Sequence, residues 1–539
     1  MPLPPDPFDP ADPRPPTDDE VAAYLDRFAW HPEPELIGYR YRAASRPALE
    51  QLGQRTWTTA LDYLYDEALR RSMGEPVGYA ELRRTFFGPS ARPGPAPDRP
   101  TPSAELLHEF TERLAPHQLN AQHPRSFSYF TPAALPMSIA GEVLTQWTNQ
   151  GVDVWHAGPV GAFVEEEVVR WLCDLIGYGD EAFGLLTSGG VMANFIAMAV
   201  IRDVHLARLR GSPTPPRGAA LEGVRVYAGD QAHFSIARAL AELGFPPETL
   251  AIVPSDASFR LAAAPVAAAI ARDREAGVTP VAIAAVAGST NTGSVDHLDA
   301  LAALAASDGL WFHVDAAYGG AARLSRRDAG RVPALERADS VTVDPHKWLF
   351  QAYDVGGLLV RRRTDLLATF HRAPEYYRGG GGATAEVPPI DVEPLNFYQH
   401  GFEGTRRWRA LKLWLSWKHL GSEGFGRLVE ANVDLAAHLA RRCAEAEDLE
   451  AVPPAPDLSV VCFRHLPGGA AAARGLDPAA LDAHQDRLAA ALETSGDGWL
   501  STTTLRGRTY LRAGIVNHLA TEADVDRLLE RLRELAGPG

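Results

Sequence analysis

The segment SVTVDPHKWLF, residues 340–350, places Lys347 at the end of an apolar run. Val341 and Val343 alternate with small polar residues before the lysine, and three large apolar residues follow it. A lysine ammonium group is costly to bury unless it is paired or neutral. With its pKa lowered by burial, Lys347 can act as a neutral nucleophile that forms a Schiff base with an aldehyde.

Polar residues also follow the other apolar runs of the central part of the chain. In a doubly wound sheet the ligand lies outside the carboxyl ends of the strands, so these residues are expected to meet at one edge. They are Ser188, Gly189, Gly190, Asp230, His233, Ser289, Thr290, Asp315, His346 and Lys347.

The segment LLTSGGVMANF, residues 185–195, predicts a strand, a turn of small residues and a helix with free N–H groups at its start. Such a helix start can bind a phosphate group. A glycine pair before a helix is more often only a tight turn, so the segment is a weak signal by itself. It lacks the pattern GxxxxGK[ST], which argues against nucleotide binding through this loop.

Asp315 ends the apolar run WFHVD and has two interpretations. It can be a helix cap or a member of a salt bridge, or it can keep a ring nitrogen protonated. His233 can be a core histidine or can stack on a planar ring. His346 is equally open, although its place beside Lys347 favours contact with a phosphate or a substrate.

Pyridoxal phosphate (PLP) needs a lysine for its aldehyde, a site for its phosphate, a carboxylate for its ring nitrogen and a group that stacks on the ring. The residues above offer all four. The sequence therefore predicts PLP as the cofactor and gives no indication of a metal site.

The elements that must position these residues read as an α/β fold, with short apolar runs alternating with helical segments from about 119 to 430. The expected strands are apolar on both faces, as in a parallel sheet covered by helices. They are residues 183–187, 224–228, 281–287, 310–315, 340–344 and 357–361. Helices are expected at 191–209, at 403–420 and after Thr521, and further strands at 458–464 and 509–516.

The chain is expected to contain a disordered tail, a helical N-terminal extension, a large cofactor-binding domain and a smaller α+β C-terminal domain. We place them at residues 1–18, 19–118, 119–405 and 406–539. Its 539 residues carry a net charge of −16, which opposes binding to nucleic acids and anionic membranes. With no apparent signal peptide or membrane span and three scattered cysteines, a cytoplasmic protein is expected.

With these residues in hand, the chain resembles the group II PLP-dependent amino acid decarboxylases, the family of aromatic L-amino acid decarboxylase and glutamate decarboxylase. The resemblance runs through HPRSFSYF, TSGGVMAN, DQAH, GSTNTGSVD, HVDAAYGG, DPHKW, RRWRALKLW and YLRAGIVNH, over nearly four hundred residues. It implies a fold-type I enzyme that forms a homodimer, with active sites at the subunit interface.

The resemblance also implies roles for individual residues. Lys347 would bind the cofactor aldehyde, Asp315 would pair with the ring nitrogen, and His233 would stack on the ring and is a candidate proton donor. The remaining cofactor-binding residues would be Gly190, Val191 and His346 around the phosphate, Thr290 near the ring substituents and Ala317 against the other ring face.

In this family a tyrosine on a mobile loop of the partner subunit is needed for decarboxylation, and Tyr376 matches it by spacing. Members with phenylalanine at that position tend to produce aldehydes. The surrounding segment, PEYYRGGGGATAEVPP, contains four consecutive glycines, Gly379 to Gly382, which suit a loop that opens and closes. Tyr376 therefore favours a decarboxylase over an aldehyde synthase.

The chain also departs from the family pattern. Val191 replaces a serine or threonine that contacts the phosphate in many members. Gly151 and Asp153 stand where members specific for aromatic substrates carry apolar residues, whereas Trp155 is retained. The predicted substrate-pocket residues are Tyr129, Phe130, Asp153 and Trp155.

The resulting hypothesis is α-decarboxylation of an L-amino acid to an amine and CO2, with an aromatic amino acid as the first candidate substrate. A polar or diamino acid, such as L-2,4-diaminobutyrate or glutamate, is the alternative. An aldehyde synthase, an aminotransferase and a non-catalytic PLP-binding homologue remain open, while the absence of a GxSxG motif argues against a hydrolase.

Overall fold

The structure, a computed structural model, describes residues 16–40, 42–67, 77–371 and 394–537. The chain contacts divide it into two compact units. One consists of Met1–Ser126 with Ala491–Trp499, and the other consists of Phe127–Ala490 with Leu500–Gly539. The domain boundaries expected after residues 18, 118 and 405 stay predictions.

The first unit is helical, as the sequence predicts. Thr17 and Glu20 form a capping box at the start of the first helix, which explains why it begins there. Among the described residues of the five α-helices in Met1–Ser126 only Ser45 is buried, so their apolar side chains are partly or fully exposed in the single chain. The helices are α1 (Asp18–Leu25), α2 (Pro34–Ile37), α3 (Arg42–Asp62), α4 (Tyr79–Phe87) and α5 (Ser103–Glu109).

The second unit is built on a seven-stranded sheet with strand order β1-β7-β6-β5-β4-β2-β3. Strand β7 runs antiparallel to both of its neighbours, and all other neighbouring pairs are parallel. The predicted α/β fold with a mostly parallel sheet is therefore confirmed. The strands are β1 (Phe183–Thr187), β2 (Val224–Gly229), β3 (Leu250–Val253), β4 (Thr279–Val286), β5 (Trp311–Asp315), β6 (Ser340–Val343) and β7 (Gly356–Val360).

Helices surround this sheet and bury it, which is why the strands are apolar on both faces. Helix α8 continues without a break in helical structure to Leu209, and helix α14 has a kink at Gly421. The helices are α6 (Pro136–Thr148), α7 (Pro159–Ile176), α8 (Gly190–Val200), α9 (Ala207–Leu209), α10 (Ser235–Glu242), α11 (Ala263–Glu275), α12 (Leu298–Asp308), α13 (Arg363–Phe370) and α14 (Ala410–Ala444).

In the described part of the chain, the helical stretch Gly190–Leu209 alone is long and apolar enough to cross a membrane. An 18-residue window within it has a mean hydropathy of 1.3, but 72% of that window is buried within the fold. Core helices of globular proteins have the same composition, so this stretch is a weak indication of a membrane span.

A second, antiparallel sheet follows helix α14, with strand order β10-β11-β9-β8. Its strands are β8 (Leu449–Ala451), β9 (Val460–His465), β10 (Ser501–Leu505) and β11 (Arg508–Gly514). The accompanying helices are α15 (Gly469–Ala473), α16 (Pro478–Ser495) and α17 (Glu522–Ala536). Helix α17 begins after Thr521, as predicted, with a capping box formed by Thr521 and Asp524.

Candidate active site

A cavity of ≈ 340 Å³ lies at the carboxyl ends of strands β1, β2, β4, β5 and β6. This is the edge at which the sequence predicts a ligand site. All eight predicted cofactor-binding residues line it, namely Gly190, Val191, His233, Thr290, Asp315, Ala317, His346 and Lys347. The sheet topology thus brings together residues that lie up to 157 positions apart in the sequence.

Lys347 projects into the cavity from the loop after β6. Its Nζ lies 3.0 Å from Asp344 Oδ2 and 5.8 Å from the centroid of the Phe130 ring. Burial lowers the pKa of this amine, but the attraction of Asp344 and Asp315 outweighs burial and raises the pKa above its usual value. The sequence-based expectation that burial leaves the Lys347 amine neutral is therefore wrong for the protein without a bound cofactor.

Asp344 is a site residue that sequence reasoning missed. It is 3% exposed, and its Oδ2 also accepts a hydrogen bond of 3.0 Å from the N–H of Gly190. A Cβ atom at Gly190 would lie 2.8 Å from this oxygen, and one at Gly356 would lie 2.6 Å from Oδ1, so both positions require glycine. A carboxylate directly after a buried strand and three residues before the lysine was an available signal.

The start of helix α8 forms one wall of the cavity. The N–H groups of Val191 and Met192 belong to the first turn, where no helical acceptor is available. They are therefore available to an anion. Because Val191 has no side-chain hydroxyl group, these backbone N–H groups must bind the anion without one. The sequence predicted that Gly190 also lies against the phosphate, but in the structure its N–H donates to Asp344.

His346 lies beside the same helix start. A Cβ atom at Gly189 would be 3.2 Å from its Cε1 atom. Its Nδ1 accepts a hydrogen bond of 3.1 Å from the N–H of Val355, and burial lowers its pKa to about 4. The neutral ring therefore carries its proton on Nε2, which faces Asp344 Oδ2 at 3.6 Å and can donate to an anion in the cavity.

Asp315 is buried at the carboxyl end of β5, between β4 and β6. Its Oδ2 accepts from Asn194 Nδ2 at 2.8 Å, and its Oδ1 accepts from the N–H of Ala317 at 3.1 Å. Both oxygens are thus held in place, and a further acceptor lone pair can receive an N–H group of a ligand in the cavity.

His233 lines the cavity from the loop after β2, whereas Lys347 lines it from the loop after β6. Strands β5 and β4 lie between these two strands in the sheet. Its Nδ1 lies 2.8 Å from Ser235 Oγ. Burial lowers the pKa of His233, which favours the neutral imidazole.

None of the four predicted substrate-pocket residues is among those that line the cavity, although Phe130 lies next to it. The Phe130 ring stacks on Tyr318, with centroids 4.4 Å apart, and lies beside Lys347. Tyr129 is 60% exposed. Asp153 and Trp155 do not line the cavity around Lys347 but lie in the segment before α7, bonded to residues 396–398.

Tyr376 and the glycine run Gly379 to Gly382 lie outside the described residues. No group of three or more His, Cys, Asp or Glu side chains suited to a metal ion is present in the described ranges.

Arg512, on β11, is a second residue that sequence reasoning missed. Its guanidinium carbon lies 4.7 Å from the centroid of the Phe130 ring, so it shares that ring with Lys347. Arg512 is buried, and its Nε donates to the carbonyl oxygen of Thr290 at 2.8 Å. Its buried Nη2 has no hydrogen-bond partner within the described part of the chain, which leaves a donor for an anionic group.

Comparison with known proteins identifies a related group. A family model for the pyridoxal-dependent decarboxylase conserved domain matches residues 90–466. An aromatic-L-amino-acid decarboxylase from Bacillus atrophaeus is 32% identical over 441 residues, which cover 82% of this chain and 87% of the relative.

A second relative has a different named substrate. An L-2,4-diaminobutyrate decarboxylase from Rhizobium meliloti is 33% identical over 443 residues, covering 82% of this chain and 84% of the relative. Among solved structures, Oryza sativa TDC with PLP and tryptamine has a TM-score of 0.78 at 24% identity, covering 97% of this chain and 99% of that one. At that identity the structural likeness shows the fold alone.

Proposed function

The chain belongs to the pyridoxal-dependent decarboxylase family and is a PLP-dependent amino acid decarboxylase, and on this premise we propose which residues carry out its reaction. Lys347 binds the cofactor aldehyde, Asp315 contacts the ring nitrogen, and His233 lies against the ring. The observation that supports this proposal is the shared cavity, which these three residues line together.

The donors and acceptors of the cavity fit PLP. The Val191 and Met192 N–H groups and the Nε2–H of His346 can bind its phosphate, and the buried Asp315 carboxylate can accept from a protonated ring nitrogen. Ala317 and Thr290 complete the lining around the ring. The amine of Lys347 must lose a proton before it can bind the aldehyde, and the attraction of the Asp344 carboxylate, whose Oδ2 lies 3.0 Å away, opposes that loss.

Bound PLP supplies an electron sink that accepts the electron pair left on Cα when the bond to the carboxylate breaks and CO2 leaves. The protein must hold a proton at the ring nitrogen, for which Asp315 is placed, and must return a proton to Cα. We propose His233 or Tyr376 as that proton donor. His233 lines the cavity, and Tyr376 rests on sequence resemblance.

We propose an aromatic L-amino acid as the first candidate substrate. The apolar Phe130 side chain beside Lys347 supports contact with an aromatic side chain. The relative from Bacillus atrophaeus, named as an aromatic-L-amino-acid decarboxylase, is consistent with this choice.

L-2,4-diaminobutyrate is the second candidate. Asp153 replaces an apolar residue of the aromatic-specific pattern. It lies outside the cavity around Lys347, and its buried Oδ1 has no hydrogen-bond partner in the described ranges. A carboxylate oxygen in that state would favour a cationic side chain. The relative from Rhizobium meliloti is consistent with this alternative.

A substrate panel tests these proposals. The purified full-length chain, loaded with PLP, is incubated with aromatic amino acids, L-2,4-diaminobutyrate and glutamate, and CO2, amine, aldehyde and peroxide are measured. Stoichiometric CO2 and amine from the aromatic substrates support the first candidate. Faster turnover of L-2,4-diaminobutyrate, lost in Asp153→Ala, supports the second, and aldehyde with peroxide would contradict the predicted role of Tyr376.

The residue assignment has its own test. Lys347→Ala should abolish the visible absorbance of the lysine-linked cofactor, because no other amine is proposed to bind the aldehyde. A full-strength band in this variant would contradict the assignment of Lys347.

We further propose that the enzyme is a homodimer. Val143, Leu144 and Trp147 form an exposed apolar face on α6, and Val160 and Phe163 form another on α7. Exposed apolar surfaces of this kind are typical of protein interfaces. A cytoplasmic location stays a prediction from the sequence.

A further inference from the structure

A chain of buried hydrogen bonds begins inside the sheet and ends at the cavity. Trp311 Nε1 donates to Ser340 Oγ at 2.9 Å, and Ser340 Oγ lies 2.9 Å from His313 Nδ1. The Ser340 hydroxyl accepts from the indole N–H and keeps its own proton, which it can donate to His313 Nδ1. Burial lowers the pKa of His313 to about 4, and the neutral ring therefore carries its proton on Nε2.

This chain of hydrogen bonds reaches Asn194, on α8, where it branches. His313 Nε2 donates to Asn194 Oδ1 at 3.1 Å, and Thr342 Oγ1 donates to the same oxygen at 2.7 Å. Asn194 Nδ2 donates to Asp315 Oδ2 and to Ser235 Oγ, each at 2.8 Å. The amide cannot be reversed, because its oxygen would then face a carboxylate oxygen at that distance.

The second branch runs through Ser235 to His233. Ser235 Oγ accepts from Asn194, so its hydroxyl proton is available for His233 Nδ1, 2.8 Å away. The N–H of Ser235 also faces His233 Nδ1, at 3.4 Å. Since Nδ1 accepts both hydrogens, the neutral ring carries its proton on Nε2.

We propose that Asn194 is a positioning residue for the cofactor ring, which orients the Asp315 carboxylate directly and the His233 imidazole through Ser235. This inference rests on the proposed placement of Asp315 and His233 at the ring. The position requires a side chain with two N–H donors and an oxygen that accepts twice. Only the amide side chains of asparagine and glutamine meet this requirement, and of the two only asparagine has the length observed here. Asn194 is fully buried.

The test compares two cofactors on the full-length apoenzyme. Asn194→Asp keeps the size of the side chain but replaces the N–H donors with an acceptor facing Asp315. We measure the dissociation constants of PLP and of its 1-deaza analogue, in which a C–H group replaces the ring nitrogen. The wild-type enzyme should prefer PLP, because only PLP offers Asp315 a ring nitrogen.

In Asn194→Asp we expect this preference to fall about tenfold or more, since hydrogen bonds to charged groups are among the stronger ones. Asn194→Ala, which adds no charge, should reduce it in the same direction and serves if the first variant does not fold. Ser235→Ala cuts only the branch to His233, and its preference for PLP should stay within about twofold of the wild type.

A merely structural role would weaken both cofactors equally and leave the preference unchanged, which would overturn the proposal. An equal loss of preference in Ser235→Ala would also overturn it, because the direct bond to Asp315 would not be responsible. If the wild type itself shows no preference, the placement of Asp315 at the ring nitrogen fails, and this inference fails with it. None of these outcomes depends on the identity of the amino acid substrate.

Discussion

At Lys347 burial and charge act on the same amine in opposite directions. Burial alone would lower its pKa and make it a neutral nucleophile, whereas the carboxylates of Asp344 and Asp315 raise the pKa and favour the ammonium form. The carboxylates prevail in the chain by itself. Attack on an aldehyde requires the neutral amine, so the reaction of the apoenzyme with PLP should become faster as the pH rises.

Asp344→Asn removes the carboxylate that lies 3.0 Å from the Lys347 amine and leaves burial as the dominant effect. The pH at which the apoenzyme begins to bind PLP rapidly should therefore fall, by about one to three units. The rate is followed as the appearance of the visible absorbance of the lysine-linked cofactor, at a series of pH values.

Asp203→Asn is a matched control, because Asp203 is also buried and paired with cations, Arg202 and Arg217, but does not line the cavity. Its profile should coincide with that of the wild type. A profile for Asp344→Asn that is unchanged, or shifted to higher pH, would contradict the role assigned to Asp344.

The site residues that the sequence predicted can be recognised from their neighbours in the sequence, whereas those that were missed depend on contacts with distant residues. Lys347 and Asp315 are polar residues at the ends of apolar runs, a pattern visible along the chain. Asn194 was missed because its importance comes from Asp315 and Thr342, which are more than a hundred positions away in the sequence. Arg512 was missed for the same reason, since it meets Phe130 only in the folded chain.

At the scale of elements, a buried ion pair ties α7 and β1 to the segment before α14. Glu165 Oε1 accepts from the N–H of Leu186 at 2.9 Å, and Arg406 Nη1 lies 3.2 Å from Glu165 Oε2. Arg406 also donates to the carbonyl oxygens of Leu186 and Val152, at 2.7 and 2.8 Å. Because β1 leads into the start of α8, this pair supports the wall of the cavity from behind.

Glu165→Leu should lower the free energy of unfolding by about 3–5 kcal/mol, because it leaves the Arg406 guanidinium buried without its counter-charge. Urea unfolding followed by circular dichroism measures the loss. The double variant Glu165→Leu/Arg406→Met should lose less than the sum of the two single variants, since it leaves no buried charge unpaired. Additive losses would show that the two residues do not stabilise the fold as a pair.

The same elements show which secondary structure could be predicted. Strands β1, β5, β6 and β7 were found to within one or two residues, because each is a short run in which apolar residues predominate or alternate with small polar ones. Strand β8 is only three residues long, and strand β10 has the polar sequence STTTL, so neither carries such a signal. Helix α14 begins at Ala410, not near 403, because Arg406 and Arg409 before it are held by specific acidic partners.

For the whole molecule, the sequence predicted a homodimer only through resemblance, and the structure adds a physical reason. Trp147 is 62% exposed, Leu144 50% and Val143 45%, all on one helix. Residues three and four positions apart share a helix face, so these side chains form one apolar surface. The burial of such a surface against a second copy of the chain would favour association.

Trp147→Glu places a charge in the middle of this surface and should convert the dimer to a monomer at micromolar concentration. Sedimentation velocity should give the wild type twice the chain mass of 58.3 kDa and the variant the mass of one chain. Leu209→Glu is a matched control, because Leu209 is also an exposed apolar residue of the same unit but lies at the end of α9. Retention of the dimer by Trp147→Glu together with its loss in Leu209→Glu would move the interface away from α6. A monomeric wild type would contradict the homodimer itself, and with it the expectation that a tyrosine of the partner subunit completes each active site.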